Sequence, residues 1–337
     1  MTKKPVVSAE SVPGEVLDAL GKMRSPVVIA HIVPDADALG AMFALAVSWA
    51  SDTCQPKVAL PQGSLSQKLT FLFDWAEPQV ATADDFERAD GFIVVDTARK
   101  SRCNVGETLW ESDWSAGRPV VNIDHHATNK QYGDVNWVIG ESSSTCEMVY
   151  YLLKAANKPI DSITASLIYA GIQTDTLGFS LPTTTPSCLR ATADVIEAGA
   201  NLTELGERLC RSQRKSEFDL LRIVYDNTEV LAEGKVAYSF ASYDDIHGAG
   251  CTASDIDDQI NIPRSLAGVR LAMLFTEGHK GKTRINFRGS GGVTVVELAG
   301  EFNGGGHSES AGAVLDCGLE EGIAQVLPRA IEHIKKF

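Results

Sequence analysis

Three β-branched runs constrain this chain more than any other feature: PVVIAHIV (26–33), DGFIVVD (90–96) and RPVVNID (118–124). Each is long enough for a strand, and none shows the strict apolar-polar alternation of a half-solvated sheet. Such runs fit strands buried on both faces. Behind the first comes PDADALGAMFALAVSWA, in which a proline and two aspartates mark a turn and the small and large apolar residues form a packed helix. KVALP adds a further strand, and helix-compatible segments separate most of these runs. Strands alternating with helices predict an α/β fold, a mostly parallel sheet with helices on both faces.

The rest of the chain changes texture in stages. A first helix is predicted over 9–23, with others over 142–154 and 161–174 and in SCLRATADVIEAG. The segment NLTELGERLCRSQRKSEFDLLRIVYDNTEV reads as one long connecting helix carrying Arg208, Arg211, Arg214 and Lys215, a positive cluster that is more often a solvated face. Beyond about Ala232 the pattern becomes short strands, KVAYSFAS, GVRLAMLFTE, KTRINFRGS and AGAVLDC, followed by a helix over 319–336. At 337 residues the chain exceeds one ordinary domain. The organisation expected is a larger α/β domain over 1–195, a helical linker over 196–231 and a smaller α+β domain over 232–337, with a cleft between the two domains.

The formal net charge of −14 disfavours long duplex nucleic acid as a partner, because an acidic surface repels a polyanion. A small anionic substrate is still admitted, since a bound cation reverses the local sign. The seven cysteines are scattered without any C-x-x-C pair, as expected of reduced, mostly buried thiols in a cytoplasm. No apolar h-region follows the N-terminal lysines, and the uncharged stretch 38–51 is too short to span a bilayer. A cytoplasmic protein without a membrane segment is expected. Trp49, Trp75, Trp110 and Trp114 are read as packing residues, and His247, His279 and His333 as surface or capping residues.

Chemistry concentrates where strands and turns end. HIVPDADALG holds His31, Asp35 and Asp37; Asp96 closes GFIVVD; Asp124, His125 and His126 follow VVNI; Asp175 lies in GIQTDT. In an open parallel sheet, side chains at the carboxyl ends of separate strands converge on one crevice. Each aspartate also has a plainer reading as a helix N-cap, and Asp35 or Asp37 could equally cap the helix behind them. Together, His31, Asp35, Asp37, Asp96, His125 and Asp175 are more donors than one ion needs, and they suit two metals sharing a carboxylate. Imidazole with carboxylate favours Mn²⁺, with Zn²⁺, Co²⁺ or Fe²⁺ as competitors. Two-metal sites activate water against a phosphoryl group and hold its leaving oxygen. Four aspartates and two divalent ions would also leave the site near neutral.

Read in order, HIVPDADALG, VVDTA, IDHHATN and GIQTDT resemble the four signature motifs of the DHH phosphoesterase superfamily, and NGGGHSESAGA resembles the glycine-histidine motif of its DHH-associated C-terminal domain. The segments NIPRSLAGVRLAMLF and GIQTDTLGFSLPTTTP narrow the resemblance to the oligoribonuclease and pAp phosphatase branch. Carried over, it assigns His31 and Asp35 to one metal, Asp37, His125 and Asp175 to the other, and Asp96 to both. Asp124 would orient a ligand imidazole, and His126 would contact the phosphate or protonate the leaving oxygen. The resemblance implies two Mn²⁺ ions and hydrolysis of short oligonucleotides and pAp through a bridging hydroxide, by a monomer or homodimer. Arg288, Gly304, Gly305, Gly306 and His307 would bind the substrate's far phosphate and base, although a glycine-rich turn and a surface arginine are the plainer readings. A phosphodiesterase of cyclic or linear dinucleotides and a catalytically inactive nucleotide-binding protein are the rival expectations. Ala36, Ala41 and Leu177 depart from the usual motif residues, and none is a ligand position.

Overall fold

A computed structural model of the protein describes residues 7–61, 63–106, 109, 113–306 and 308–337. The chain divides into two compact units, Met1–Ser212 and Gln213–Phe337, each with its own sheet.

In the first unit β1 (Val27–Ile29), β2 (Lys57–Val58), β3 (Phe92–Val95), β4 (Val120–Asp124) and β5 (Val135–Val138) form a five-stranded sheet in the order β2-β1-β3-β4-β5. Every described pairing in it is parallel. Neighbouring residues along the strands feed opposite cores. Val28, Ile93, Val95, Val121 and Ile123 pack with Phe43, Met148, Leu167 and Ile168 on one face. Val27, Ile29, Phe92, Val94 and Val120 pack with Phe86 and Trp114 on the other. Both faces are therefore covered, which explains why the strands read as continuous apolar runs. Burying each such large side chain contributes about 1.5–3 kcal/mol.

The helices of this unit are α1 (Gly14–Lys22), α2 (Ala36–Trp49), α3 (Thr70–Ala76), α4 (Ala83–Arg88), α5 (Thr145–Ala155), α6 (Ser162–Asp175), α7 (Pro186–Glu197) and α8 (Leu202–Cys210). The first differs from the helix expected over 9–23. Ala9–Ser11 is a short 3₁₀ turn, and Pro13 sits at the N-cap of α1, where its missing N–H costs nothing. Helices α2, α5 and α6 meet closely at Gly171, where an added Cβ would run into Cys146 Sγ and Asp37 Oδ1.

The long connecting helix is not continuous. It breaks after Cys210 and resumes as α9 (Lys215–Asp226), and Thr228–Leu231 is a strand, β6. The two halves serve different cores: Leu205 of α8 enters the first unit's, whereas Leu220 and Val224 of α9 enter the second's. Arg208, Arg211, Arg214 and Lys215 pair with Glu204, Glu207, Glu217 and Asp255, and Asp219 respectively, so this charge is a self-neutralised surface.

The second unit holds β7 (Val236–Ala241), β8 (Leu271–His279), β9 (Lys282–Gly289), β10 (Gly305–Gly306) and β11 (Ser310–Leu315) besides β6. They form a six-stranded sheet in the order β10-β11-β9-β8-β7-β6, antiparallel except between β7 and β8. Val326, Ala330 and Ile334 of the terminal helix Leu319–Ile334 pack on one face with Met273, Phe275, Ile285 and Phe287. Leu220, Val224 and Ile246 pack on the other with Ala272 and Leu274.

His333 is buried, not superficial, because its Nε2 donates to Thr294 O at 2.6 Å. Trp49 and Trp114 are buried and Trp75 is partly so, while Trp110 lies outside the described residues. The cysteines are free thiols; Cys210 is exposed, Cys317 partly exposed and the others buried.

Candidate metal centre

Histidines and aspartates from separate strand ends and helix ends of the first unit converge. His31 follows β1, and Asp35 caps α2 by accepting from the backbone N–H groups of Asp37 and Ala38 at 3.0 Å. The plain N-cap reading of Asp35 thus holds for one of its oxygens. The other, Oδ2, lies 3.9 Å from His31 Nε2.

Asp37 is fully buried in the first turn of α2. Its carboxylate accepts from Thr145 N at 2.7 Å and Cys146 N at 2.9 Å, the exposed donors at the start of α5. A helix N-terminus favours a carboxylate there. Asp96 turns the chain after β3 with φ of +50°, a left-handed conformation that aspartate tolerates better than most residues. Thr145 Oγ1 donates to its Oδ1 at 3.0 Å.

The two histidines adjoining these carboxylates are held alike. His31 Nδ1 is 2.8 Å from Ile32 O, and His125 Nδ1 is 3.4 Å from Ser142 O. A donated Nδ1–H leaves Nε2 of each ring as the basic nitrogen facing the cluster. His31 Nε2 is 3.5 Å from Asp96 Oδ2, while His125 Nε2 is 3.5 Å from Asp96 Oδ1, 3.1 Å from Asp175 Oδ2 and 3.9 Å from Asp37 Oδ2. Asp96 therefore presents one oxygen to each histidine. Asp175 closes α6, followed by Leu177, Gly178 and Phe179, all left-handed.

Three sets of donors come within 4.8 Å: His31, Asp35 and Asp96; Asp37, His125 and Asp175; and Asp96, His125 and His126. Asp124 is not among them. It is buried at the end of β4, with Oδ1 2.7 Å from His126 Nδ1.

The electrostatics fit a cation site. Burial and the charges of Asp175 and Asp96 hold the Asp37 carboxyl far above the usual carboxylate range. Asp35 is raised to about 6 by the surrounding protein and by the charges of Asp96 and Asp175. Because 59% of its side chain meets solvent, water weakens both effects there. Burial would lower His31, yet its bond to Asp96 and the charges of Asp35 and Asp96 raise it to about 9. Burial likewise opposes, and Asp175 restores, the proton on His125, which is held well above the imidazole range. Asp96 is pushed below the carboxylate range: burial would raise it, but the bond to His31 and the charges of His125, His126 and His31 prevail. Protons thus take up the negative charge that divalent ions would otherwise balance, and the imidazole and carboxylate donors match a first-row divalent metal.

The helix expected over 142–154 is present as α5, but the role of its N-terminal turn, whose backbone orients Asp37 and whose Thr145 hydroxyl orients Asp96, was not anticipated. Its signal was present in SSSTCE, a run of capping residues ahead of a helix, with Ser144 accepting from Glu147 N at 3.0 Å.

In the second unit Arg288 of β9 stands opposite Ser310 of β11, and Gly305 and Gly306 pair with Gly312 and Ala311 on the far side of β11. Gly304 has no room for a Cβ against Gly312 O and Ala299 O, so close packing alone accounts for that glycine. His307 lies outside the described residues.

This fold and donor set define a metal-dependent hydrolase acting on phosphate esters. The chain belongs to the DHH family: the DHH family N-terminal domain matches residues 26–172, and the DHHA1 domain matches residues 233–337. It is 30% identical to the bifunctional oligoribonuclease and PAP phosphatase NrnA of Bacillus subtilis, over 84% of this chain and 87% of that one. It is 26% identical to the protein of the same name from Thermus thermophilus, over 95% and 93%. The fold is shared with an exopolyphosphatase-related protein from Bacteroides fragilis at a TM-score of 0.88 and 21% identity, covering 97% and 98% of the two chains. Among the described residues no helix is long and apolar enough to cross a membrane.

Proposed function

We propose that this chain is a Mn²⁺-dependent enzyme that releases mononucleotides from very short oligonucleotides and dephosphorylates pAp. The observation that carries the reading is Asp96, whose two oxygens each lie 3.5 Å from a different histidine. That arrangement supports a carboxylate shared by two ions, with His31 and Asp35 completing one set and Asp37, His125 and Asp175 the other. Kinship to the relatives named oligoribonuclease and PAP phosphatase supports the substrate class.

When bound, divalent ions supply Lewis acidity and a water ionised near neutral pH. The chain's own residues do the rest. Backbone donors of α5 hold Asp37 in place without a counter-charge, and the Thr145 hydroxyl fixes the plane of Asp96. His126, anchored through Nδ1 on Asp124, is the group we assign to the substrate phosphate or to the proton of its leaving oxygen. Arg288 and Gly304 to Gly306 are assigned to the substrate's distal phosphate and base. The acidity of the chain disfavours long strands.

The test is hydrolysis by metal-stripped protein with and without Mn²⁺ on a 5′-phosphorylated dinucleotide, pAp, a cyclic dinucleotide, pyrophosphate and a long single strand. Mn²⁺-dependent cleavage of the first two with the long strand and pyrophosphate spared is expected. Preference for the cyclic compound would reassign the substrate and keep the metals. Silence on all five, with every divalent ion, would leave a nucleotide-binding protein.

A further inference from the structure

A buried polar chain runs behind the metal cluster from Asn122 to His126. Asn122 is fully buried within β4, between Val121 and Ile123, where an apolar residue would carry no polar group to satisfy. An unpaired amide there would cost about 1–3 kcal/mol. Its Oδ1 accepts from Asn129 Nδ2 at 2.7 Å, and the same amide nitrogen donates to Asp124 Oδ2 at 2.6 Å. Asn129 Oδ1 in turn accepts from Gln131 N at 2.6 Å, which leaves only one orientation of the Asn129 amide consistent with its neighbours. Asp124 is 0% exposed. Its remaining oxygen, Oδ1, accepts from His126 N at 3.2 Å and lies 2.7 Å from His126 Nδ1. Both oxygens of Asp124 are thereby committed, one to Asn129 and one to His126.

We infer that Asn129 is a positioning residue of the reaction. It clamps Asp124 so that this carboxylate accepts from Nδ1–H and holds one ring orientation of His126, with Nε2 at the opposite end of the ring as the nitrogen that carries the transferable proton. This rests on the assignment of His126 to the substrate made above. Fixing the partner of a functional imidazole is a role that outer residues of metal sites commonly serve, with losses of about 10–100-fold when they are removed. Asn129 also closes a turn, since its N–H donates to His126 O at 3.0 Å, so the test must separate orientation from loop stability.

The full-length, Mn²⁺-loaded protein and its Asn129→Ala, Asn129→Asp and His126→Ala variants, with the double variant Asn129→Ala/His126→Ala, are assayed on a ribodinucleotide and on a p-nitrophenyl ester of a nucleoside monophosphate. The nitrophenolate leaves without a proton. Asn129→Ala is expected to lower kcat on the dinucleotide by about 10–100-fold with KM within about threefold, and to change the nitrophenyl reaction by less than about threefold. Asn129→Asp keeps the shape but sets two carboxylates against each other, and it should lose at least as much. The double variant should be no slower than His126→Ala alone. Equal losses on both esters, or losses that multiply in the double variant, overturn the inference. A readout independent of turnover is the ¹⁵N–¹H imidazole spectrum of the protein loaded with diamagnetic Mg²⁺, in which the His126 signals are identified by their absence in His126→Ala. A hydrogen-bonded Nδ1–H signal that weakens or disappears in Asn129→Ala supports the clamp, and an unchanged pattern sinks it. If wild type cleaves neither ester while the imidazole signals still respond, the substrate reading fails and the clamp stands. Should Asn129→Ala melt below the assay temperature, the isosteric Asn129→Asp carries the same measurements.

Discussion

Asp96 is the residue on which the two halves of the donor set depend, and it is held on three sides: by its left-handed backbone, by Thr145 and by the facing histidines. Replacing it with asparagine keeps the shape and removes the charge that both ions would share. Asp96→Asn is expected to lower kcat by at least about 10²-fold and to abolish the rise in melting temperature that Mn²⁺ gives the wild type. Activity assays and thermal melts with and without Mn²⁺ check it; an undiminished Mn²⁺-dependent rise would exclude Asp96 as a shared ligand. The metal-free protein should also show a particular pH dependence. The folded-state values of Asp35, about 6, and of His31, about 9, both lie above their ordinary ones. The folded chain then binds more protons than the unfolded chain between about pH 4 and 6 through Asp35 and between about pH 6.5 and 9 through His31. Stability without metal should accordingly fall as pH rises through both windows. Asp35→Asn should flatten the lower window and, by removing one of the charges that raise His31, narrow the upper one, which urea unfolding at a series of pH values would show.

At the scale of elements, the strands were legible because burial on both faces writes itself as uninterrupted Val and Ile runs. The convergence of His31, Asp96 and His125 followed from the rule that strand ends share a crevice, whereas Asp175 arrives from the end of α6. The break between α8 and α9 was not legible. Helical periodicity continues through 201–230, and only the choice of core, Leu205 for one unit and Leu220 and Val224 for the other, separates the halves. The clamp of Asn129 on Asp124 was equally hidden, since an asparagine in a turn looks the same whether or not its amide meets a buried carboxylate. Close helix contact offers a test. Gly171→Ala would press a methyl against Cys146 and Asp37, with overpacking that costs about 1–3 kcal/mol and displaces a proposed ligand. Lower melting temperature together with weaker Mn²⁺ binding by calorimetry is the expected pair. Loss of stability with unchanged binding would show that Asp37 is not moved.

The whole molecule holds two units with separate sheets and separate cores, and every proposed ligand belongs to the first. Cooperativity between them is not required by either core, so calorimetry should resolve two transitions. Mn²⁺ should raise the one that belongs to the first unit and leave the other in place. A single transition that moves as a whole would mean that the units unfold together. The two histidines proposed as ligands carry a further implication. His31 and His125 are steered by main-chain carbonyls of Ile32 and Ser142, atoms that every amino acid possesses. Mutational drift at position 32 can therefore be broad in side-chain chemistry without turning its ring, whereas Ser142 is held further by its buried hydroxyl, which donates to Ser144 O at 3.0 Å. What selection must guard at position 32 is the direction of a peptide plane, a quantity that comparing letters between sequences does not register.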